Sequence, residues 1–222
     1  MKSDISNKLS AQSISFLLPE DIKNEMQKRI FFFDSLESTN ITAKDKAAAG
    51  AEHGTVVIAD YQTAGKGCRG KTFFSPAGRG IYMSFILDAG FICLNNPASI
   101  TASAAVSVCQ TIEYTTGKSP KVKKVNDIFL DGRKICGILT ESVIGAESHN
   151  INFIVLGIGI NFNTPLSDFP EELQGIAGSL FESETPPVSR NELTAEIIKA
   201  ILYPKVKLNE EQMLEEYNKR LL

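Results

Sequence analysis

The sequence has no tryptophan, and its four cysteines (Cys68, Cys93, Cys109 and Cys136) are scattered, with no Cys-x-x-Cys pair and no Cys/His spacing suited to a metal. Nothing here marks a disulfide-framed secreted domain or a zinc module; a reduced, cytoplasmic enzyme fits. No stretch approaches the roughly 20 apolar residues that cross a bilayer, and Met1–Lys8 has no apolar run to form a signal peptide. Without export, the Asn40-Ile-Thr42 sequon carries no meaning. Positive charge is scarce too. The 23 Lys and Arg against 26 Asp and Glu leave a net charge of −3, whereas bulk nucleic-acid binding needs a strongly basic face. No internal repeat or low-complexity tract appears.

What is present is an ordinary globular composition, 43% hydrophobic over 222 residues, enough for one domain with a sizeable core. A helix is expected from Pro19 to about Arg29, then a short strand at Ile30–Phe33. Ser38 or Thr39 is placed to cap a helix ending at Ala49, with Gly50 as its stop. Thr55–Gln62 and Ile81–Leu87 read as strands, and Pro97–Thr116 as a small-residue helix packed on a sheet. Asp131-Gly132 is a two-residue hairpin signal between strands at Asp127–Leu130 and Lys134–Glu141. Ile151–Asn161 is nearly all apolar and so central. Residues 164–187 read as loop, and helices follow at about 190–203 and 209–221, the second opened by an Asn209/Gln212 capping box. The fold class is α+β: a mostly antiparallel mixed sheet with helices packed on one side.

The densest chemical signal lies between Gln62 and Phe85. Gly65, Gly67 and Gly70 alternate with Lys66, Arg69 and Lys71 in a loop that leads into a strand. Bare N–H groups and cations together cradle an anion; a plain turn would need fewer of both. Gly65–Gly70 matches G-x-G-x-x-G to the letter, and Asp88 follows 18 positions after Gly70, yet a dinucleotide site needs a helix directly after the glycines, and Ile81 starts a strand instead. A P-loop pattern is missing. A second cluster, Lys123-Lys-Val-Asn-Asp127, faces Arg133-Lys-Ile-Cys-Gly-Ile-Leu-Thr-Glu141 across the hairpin. Lysines there are ordinarily solvated, but Lys134 enters a strand, and Gly137 within it points to close approach of a ligand or of another backbone. Gly157-Ile-Gly-Ile-Asn161 repeats glycine in a central strand.

In this order, GKGCRGKTFFSPAGRGIYMS, KKVNDIF, DGRKICGILTE and GIGIN, with Ser38-Thr-Asn40 upstream, resemble the biotin protein ligases over about residues 30–163. The resemblance implies a class II synthetase-like biotin/lipoate ligase fold and a two-step reaction: ATP and biotin give biotinyl-5′-adenylate, and a lysine of a biotin carboxyl carrier protein accepts the biotin. It implies Lys134, Lys123, Asp127 and Asn126 as catalytic, and Ser38, Thr39, Asn40, Gln62, Gly65, Lys66, Gly67, Cys68, Lys134 and Gly137 at biotin. Lys66, Arg69, Lys71, Phe73, Asn126 and Asn161 fall to ATP and the adenylate, with Phe73 on the adenine and Asp127 toward Mg²⁺. Lipoate or octanoate transfer, and a weakened biotin- or adenylate-binding sensor, stay open as alternatives. A homodimer through an exposed strand is compatible.

Several positions depart from the family's pattern. Cys68 stands where a second loop arginine is usual, Lys66 replaces the first, Phe73 stands in for tryptophan, and Lys124-Val125 replace Trp-Pro. Losing a guanidinium at 68 removes a charge-assisted contact, so weaker retention of the adenylate is expected. The first 30 residues are short for a DNA-binding winged helix; a single catalytic domain over 1–222 is expected, with its core at about 30–203, no repressor function, and the family's small C-terminal β-domain either naturally absent or cut off.

Overall fold

A computed structural model of the chain describes residues 8–88, 97–144, 151–206 and 208–222; Cys93 lies outside them. The helices are α1 (Ala11–Phe16), α2 (Glu20–Arg29), α3 (Thr39–Ala48), α4 (Pro97–Thr116), α5 (Glu171–Gln174), α6 (Arg190–Leu202) and α7 (Glu210–Lys219). The strands are β1 (Ile30–Leu36), β2 (Thr55–Gln62), β3 (Gly80–Asp88), β4 (Lys121–Lys123), β5 (Asp127–Leu130), β6 (Arg133–Ile144) and β7 (Ile151–Asn161). They form one mixed sheet in the order β1-β2-β3-β7-β6-β5-β4. Only the β1/β2 pair is parallel, and α3 is the crossover that a parallel pair requires.

The long apolar runs of β3 and β7 are explained by cover on both faces. On one face Ile81, Met83, Phe85 and Leu87 join the main core, with buried side chains of α4, α6 and α7. On the other, Ala43 and Ala47 of α3 pack with Val57, Ile86 and Val155. Most helices thus pack on one side, as expected, and α3 alone of those in these two clusters lies on the opposite face, where its small alanines let it sit close to the strands. It covers one part of that face, and the candidate site occupies the part beside it.

Local chemistry sets the element ends. Gly50 (φ +88°) ends α3 in a Schellman turn, its N–H on Ala47 O and that of Ala51 on Lys46 O. Asp131 and Gly132 both take positive φ (50° and 78°), as a two-residue type I′ hairpin demands. Capping boxes open both α6 (Ser189/Glu192) and α7 (Asn209/Gln212). The sequence reading missed α1, capped by Ser10, and the three-residue β4, whose Val122 pairs with both β5 and the C-terminal Leu221. Within 164–187, expected as loop, α5 and a 3-10 turn at Leu166–Asp168 each follow a proline. Strand β6 also runs to Ile144, past the expected Glu141.

Arg190, 3% exposed, locks α6 to the sheet: its Nη1 donates to Asp60 Oδ1 (2.6 Å) and to Gly80 O (3.2 Å). Asp60 Oδ2 also accepts from Gly78 N (3.0 Å). Removing one partner of a buried pair leaves an uncompensated charge. We expect Asp60→Ala to lower the unfolding free energy by about 3 kcal/mol, read from the urea midpoint at neutral pH; a loss below about 1 kcal/mol would refute this role.

Candidate active site

The floor of the site is a patch of β6 and β7 from which side chains are missing. A Cβ at Gly159 would lie 2.7 Å from the Phe73 ring, one at Gly137 3.2 Å from it, and one at Gly157 would overlap Asn40 Oδ1. These glycines serve close approach rather than unusual dihedrals. Over them opens a narrow cleft, lined by Ser38, Asn40, Gln62, Lys66, Cys68 and Lys134 among others.

Lys134 reaches this cleft because β6 carries a bulge. Ile128 faces Cys136 but Phe129 faces Lys134, so Ile135 is an extra residue. Ile135 and Cys136 both enter the core, and Lys134 consequently shares a face with Gly137, three residues away. Bulges commonly re-aim a side chain in this way. Its Nζ sits 3.3 Å from where a Gly137 Cβ would be and pairs with Asp127 Oδ1 at 2.6 Å. The Lys134 backbone is held by Ile176 O (2.8 Å) and Gly178 N (2.9 Å).

The opposite end of the cleft is a directed chain of hydrogen bonds. Gln62 Oε1 accepts from Thr39 N (2.9 Å) and Thr39 Oγ1 (3.2 Å), and Gln62 Nε2 donates to Ser75 Oγ (2.8 Å). Ser84 Oγ lies 2.8 Å from Thr39 Oγ1 and 2.6 Å from Asn40 Oδ1. Asn40 Nδ2 donates to Glu141 Oε2 (2.7 Å), and Lys44 donates to Glu141 Oε1. Ser38 occupies the N-cap position of α3 but its side chain makes no capping bond; Gln62 from β2 serves the Thr39 N–H instead.

The glycine-rich loop folds onto this cleft as a small hairpin. Lys66 bridges Thr72, Gly67 N donates to Lys71 O (2.7 Å), and Arg69 takes φ +57° in a 3-10 turn over Cys68–Gly70. Cys68 makes the inward contact: Asn126 Nδ2 donates to its Sγ (3.1 Å) and to Ile138 O (2.9 Å), and the thiol faces Ile138 O at 3.7 Å. Burial pushes the Cys68 thiol above its ordinary value; the Asp127 carboxylate adds to this, and Lys134 and Arg69 offset it only in part.

A model of the biotin/lipoate A/B protein ligase family matches residues 32–161, more than half of the chain. The chain belongs to that family. The bifunctional ligase/repressor BirA of Bacillus subtilis is 39% identical over 183 residues, covering 82% of this chain and 54% of the relative. A biotin–[acetyl-CoA-carboxylase] ligase of Mycobacterium tuberculosis is 29% identical over 172 residues, 74% of this chain and 59% of the relative. The chain therefore spans about half the length of the curated relatives it matches. Among solved structures, a biotin protein ligase from Aquifex aeolicus in complex with biotin and ATP superposes with a TM-score of 0.72 at 26% identity, covering 88% of this chain and 79% of that one.

Of the residues that the family's motifs single out, Ser38, Thr39, Asn40, Gln62, Lys66, Gly67, Cys68, Phe73, Asn126, Lys134 and Gly137 line one cleft. Asp127 stands just behind Lys134 as its ion-pair partner. Gly65 lies under the loop, where a Cβ would crowd Ser75 Oγ at 2.6 Å. Arg69 and Lys71 are exposed on the loop, and Lys123 is exposed with its Nζ 5.2 Å from the Phe129 ring centre. Asn161 is buried as a brace, its Nδ2 donating to Gly178 O (2.9 Å). Phe73 lies on the glycine floor, edge-on to Tyr82. The sequence reading passed over Tyr82, Ser84 and Ser75, because a polar residue inside an apolar strand or turn carries no motif of its own. Arg133 was seen only as motif text; its Nη1 holds Gln174 O (2.6 Å) beside the Lys134 backbone.

With its thiol favoured over the thiolate, Cys68 should react with iodoacetamide at pH 7.5 about tenfold more slowly than free cysteine. Asp127→Asn removes a carboxylate that disfavours the thiolate, so labelling of the Cys68 peptide, followed by mass spectrometry, should speed up. An unchanged rate would show that Asp127 does not act on the thiol.

Proposed function

We propose that this domain is an ATP-dependent biotin protein ligase of the cytoplasm. One observation carries the reading: a single cleft places the bulge-aimed Lys134 at one end and the Thr39–Asn40–Gln62–Ser84 array at the other. That array presents donors and acceptors suited to a cyclic urea, and the glycine floor between accepts a flat apolar body and tail. In the first step a biotin carboxylate oxygen attacks the α-phosphorus of ATP and pyrophosphate leaves, giving biotinyl-5′-adenylate. In the second, a carrier lysine amine attacks the acyl carbon, AMP leaves, and an amide forms.

Lys134 bridges the biotin carboxylate and the α-phosphate, where charge builds in the transition state. Before ligand arrives Asp127 neutralises it, and the incoming anions take over that role. Lys66, with Arg69 and Lys71 from the exposed part of the loop, supplies further cations, and Lys123 guides phosphates at the rim. Asn126 positions the reacting groups and holds Cys68. Asp127, a single carboxylate beside the phosphate position, fits Mg²⁺, which usually binds through one or two carboxylates plus substrate phosphates; bound there, the ion would neutralise phosphate charge. Closure of the loop keeps water from the mixed anhydride.

The carrier is a biotin carboxyl carrier domain. Beyond Gly137 no strand among the described residues covers the outer edge of β6, an opening suited to a docked carrier or to a second copy of the chain.

Biotin-dependent ATP–pyrophosphate exchange, followed by labelling of a carrier domain, tests the reading, with lipoate as the competing substrate; exchange with lipoate alone would overturn it. Lys134→Gln should cut exchange by about 10²–10³-fold with the melting temperature held. Cys68→Arg should slow the escape of adenylate into solution by restoring a charge-assisted contact; equal release from both proteins would discount the substitution.

A further inference from the structure

Glu141 sits at the far end of the hydrogen-bond chain, paired with Lys44 and apart from the Lys134–Asp127 pair. It stands on β6 opposite Val155 of β7, facing α3, where Asn40 and Lys44 lie one helical turn apart on one side. Lys44 donates to one of its oxygens and Asn40 Nδ2 to the other. Burial pushes the Glu141 carboxyl up, but the hydrogen bonds from Lys44 and Asn40, with the charges of Lys44 and Lys66, more than offset it and hold it below its ordinary value. An ionised carboxylate only accepts. The Asn40 amide is therefore pinned: its nitrogen turns to Glu141, and to Leu139 O at 3.5 Å. Its oxygen turns the other way, over Gly157 and into the cleft lining.

That oxygen has two lone pairs. Ser84 Oγ can use one at most, and its single proton is shared with Thr39 Oγ1. An acceptor is left over, in a residue that is 4% exposed. A ligand head group with an N–H uses this second lone pair; a dithiolane ring or an alkyl chain leaves the oxygen with only the shared Ser84 proton and forgoes that hydrogen bond. Sites built to pair a polar group discriminate strongly against analogues that lack it.

We infer that Glu141, clamped by Lys44, is a positioning residue that fixes the Asn40 amide with its oxygen toward the cleft and so selects a cyclic-urea N–H over the head groups of lipoyl or octanoyl substrates. The inference rests on the ligase reading and deepens it. Glu141→Gln keeps the shape but offers an amide that donates as well as accepts, which frees Asn40 to flip.

The test uses the full chain in pyrophosphate exchange, with biotin and lipoate each varied and ATP varied separately. Glu141→Gln should raise the KM for biotin about tenfold or more, leave the KM for ATP unchanged, and narrow the preference for biotin over lipoate to match. The double variant Asn40→Asp with Glu141→Gln again presents an oxygen to the cleft, now backed by the amide introduced on β6, and should recover the biotin KM to within about threefold of wild type. A purely structural role for Glu141 predicts no such recovery. A wild-type biotin KM in Glu141→Gln overturns the inference alone, as does a double variant no better than the single one. Should Glu141→Gln fail to fold, the double variant decides by itself: near-wild-type biotin KM supports the inference and a lost one overturns it. Wild-type protein with no biotin-dependent exchange overturns the ligase reading and this inference together.

Discussion

The side-chain-free patch at Gly137, Gly157 and Gly159 is the constraint on which the rest of the site depends. Those positions lie on the adjacent strands β6 and β7, near the middle of the sheet, where a side chain would normally fill the layer between sheet and helix. Without side chains there, Asn40 can lower its amide onto Gly157 and Phe73 can lay its ring on Gly159 and Gly137. Helix α3 stays close through Ala43 and Ala47, so its first turn overhangs the patch without closing it. The opposite face bears most of the core, from Leu9 and Met26 through Phe162 to Tyr217. One face of the sheet thus secures the fold and leaves the other free to be hollow.

Much of this was legible in the sequence. Strand positions followed from apolar runs, the hairpin from Asp131-Gly132, and the end of α3 from Gly50, because in each case one residue type answers one local backbone need. Lys134 was singled out because a lysine enters an otherwise apolar strand beside a glycine. The reason it points inward was not legible. A bulge is set by pairing register against β5, and Ile135-Cys136 reads as ordinary alternation until two successive core-facing residues are seen. Helix α3 was legible as an element but its face was not, since its weakly amphipathic, alanine-rich sequence does not say which layer it serves. Ser38 stands at the N-cap of α3, as its type suggests, but makes no side-chain capping bond; the Thr39 N–H is met by Gln62, 23 residues away, a tertiary solution that no local pattern encodes.

Electrostatically the cleft is asymmetric in a way that suits its chemistry. At the network end the side chains are tied to one another by hydrogen bonds and the Glu141 carboxylate is met by Lys44, so recognition there depends on direction rather than on net charge. At the other end, among the described residues, Lys134 is paired with Asp127 alone, over a single 2.6 Å contact between partly exposed groups. Such a pair is worth little on its own, which makes it easy to exchange. An anion that replaces Asp127 at the ammonium gains a charge-assisted contact and loses little to the pair it breaks.

On the proposed ligase reading, two anionic substrates exceed what one lysine can neutralise, and the remaining positive charge lies on the loop, in solvent. Lys66, Arg69 and Lys71 stay hydrated until phosphate draws them in, which avoids the desolvation cost of holding unpaired cations inside an empty pocket. The loop nevertheless needs a fixed point so that closing it does not require ordering the whole segment at once. Cys68 provides that point: its thiol lies against Asn126 and Ile138 O, and contacts of this kind suit a neutral side chain. A guanidinium at position 68 would bring charge to the same spot but would leave the Asn126 amide nitrogen facing another donor. Position 68 thus serves as a latch, and the loop's cations, Lys66 before it and Arg69 and Lys71 after it, flank it on either side.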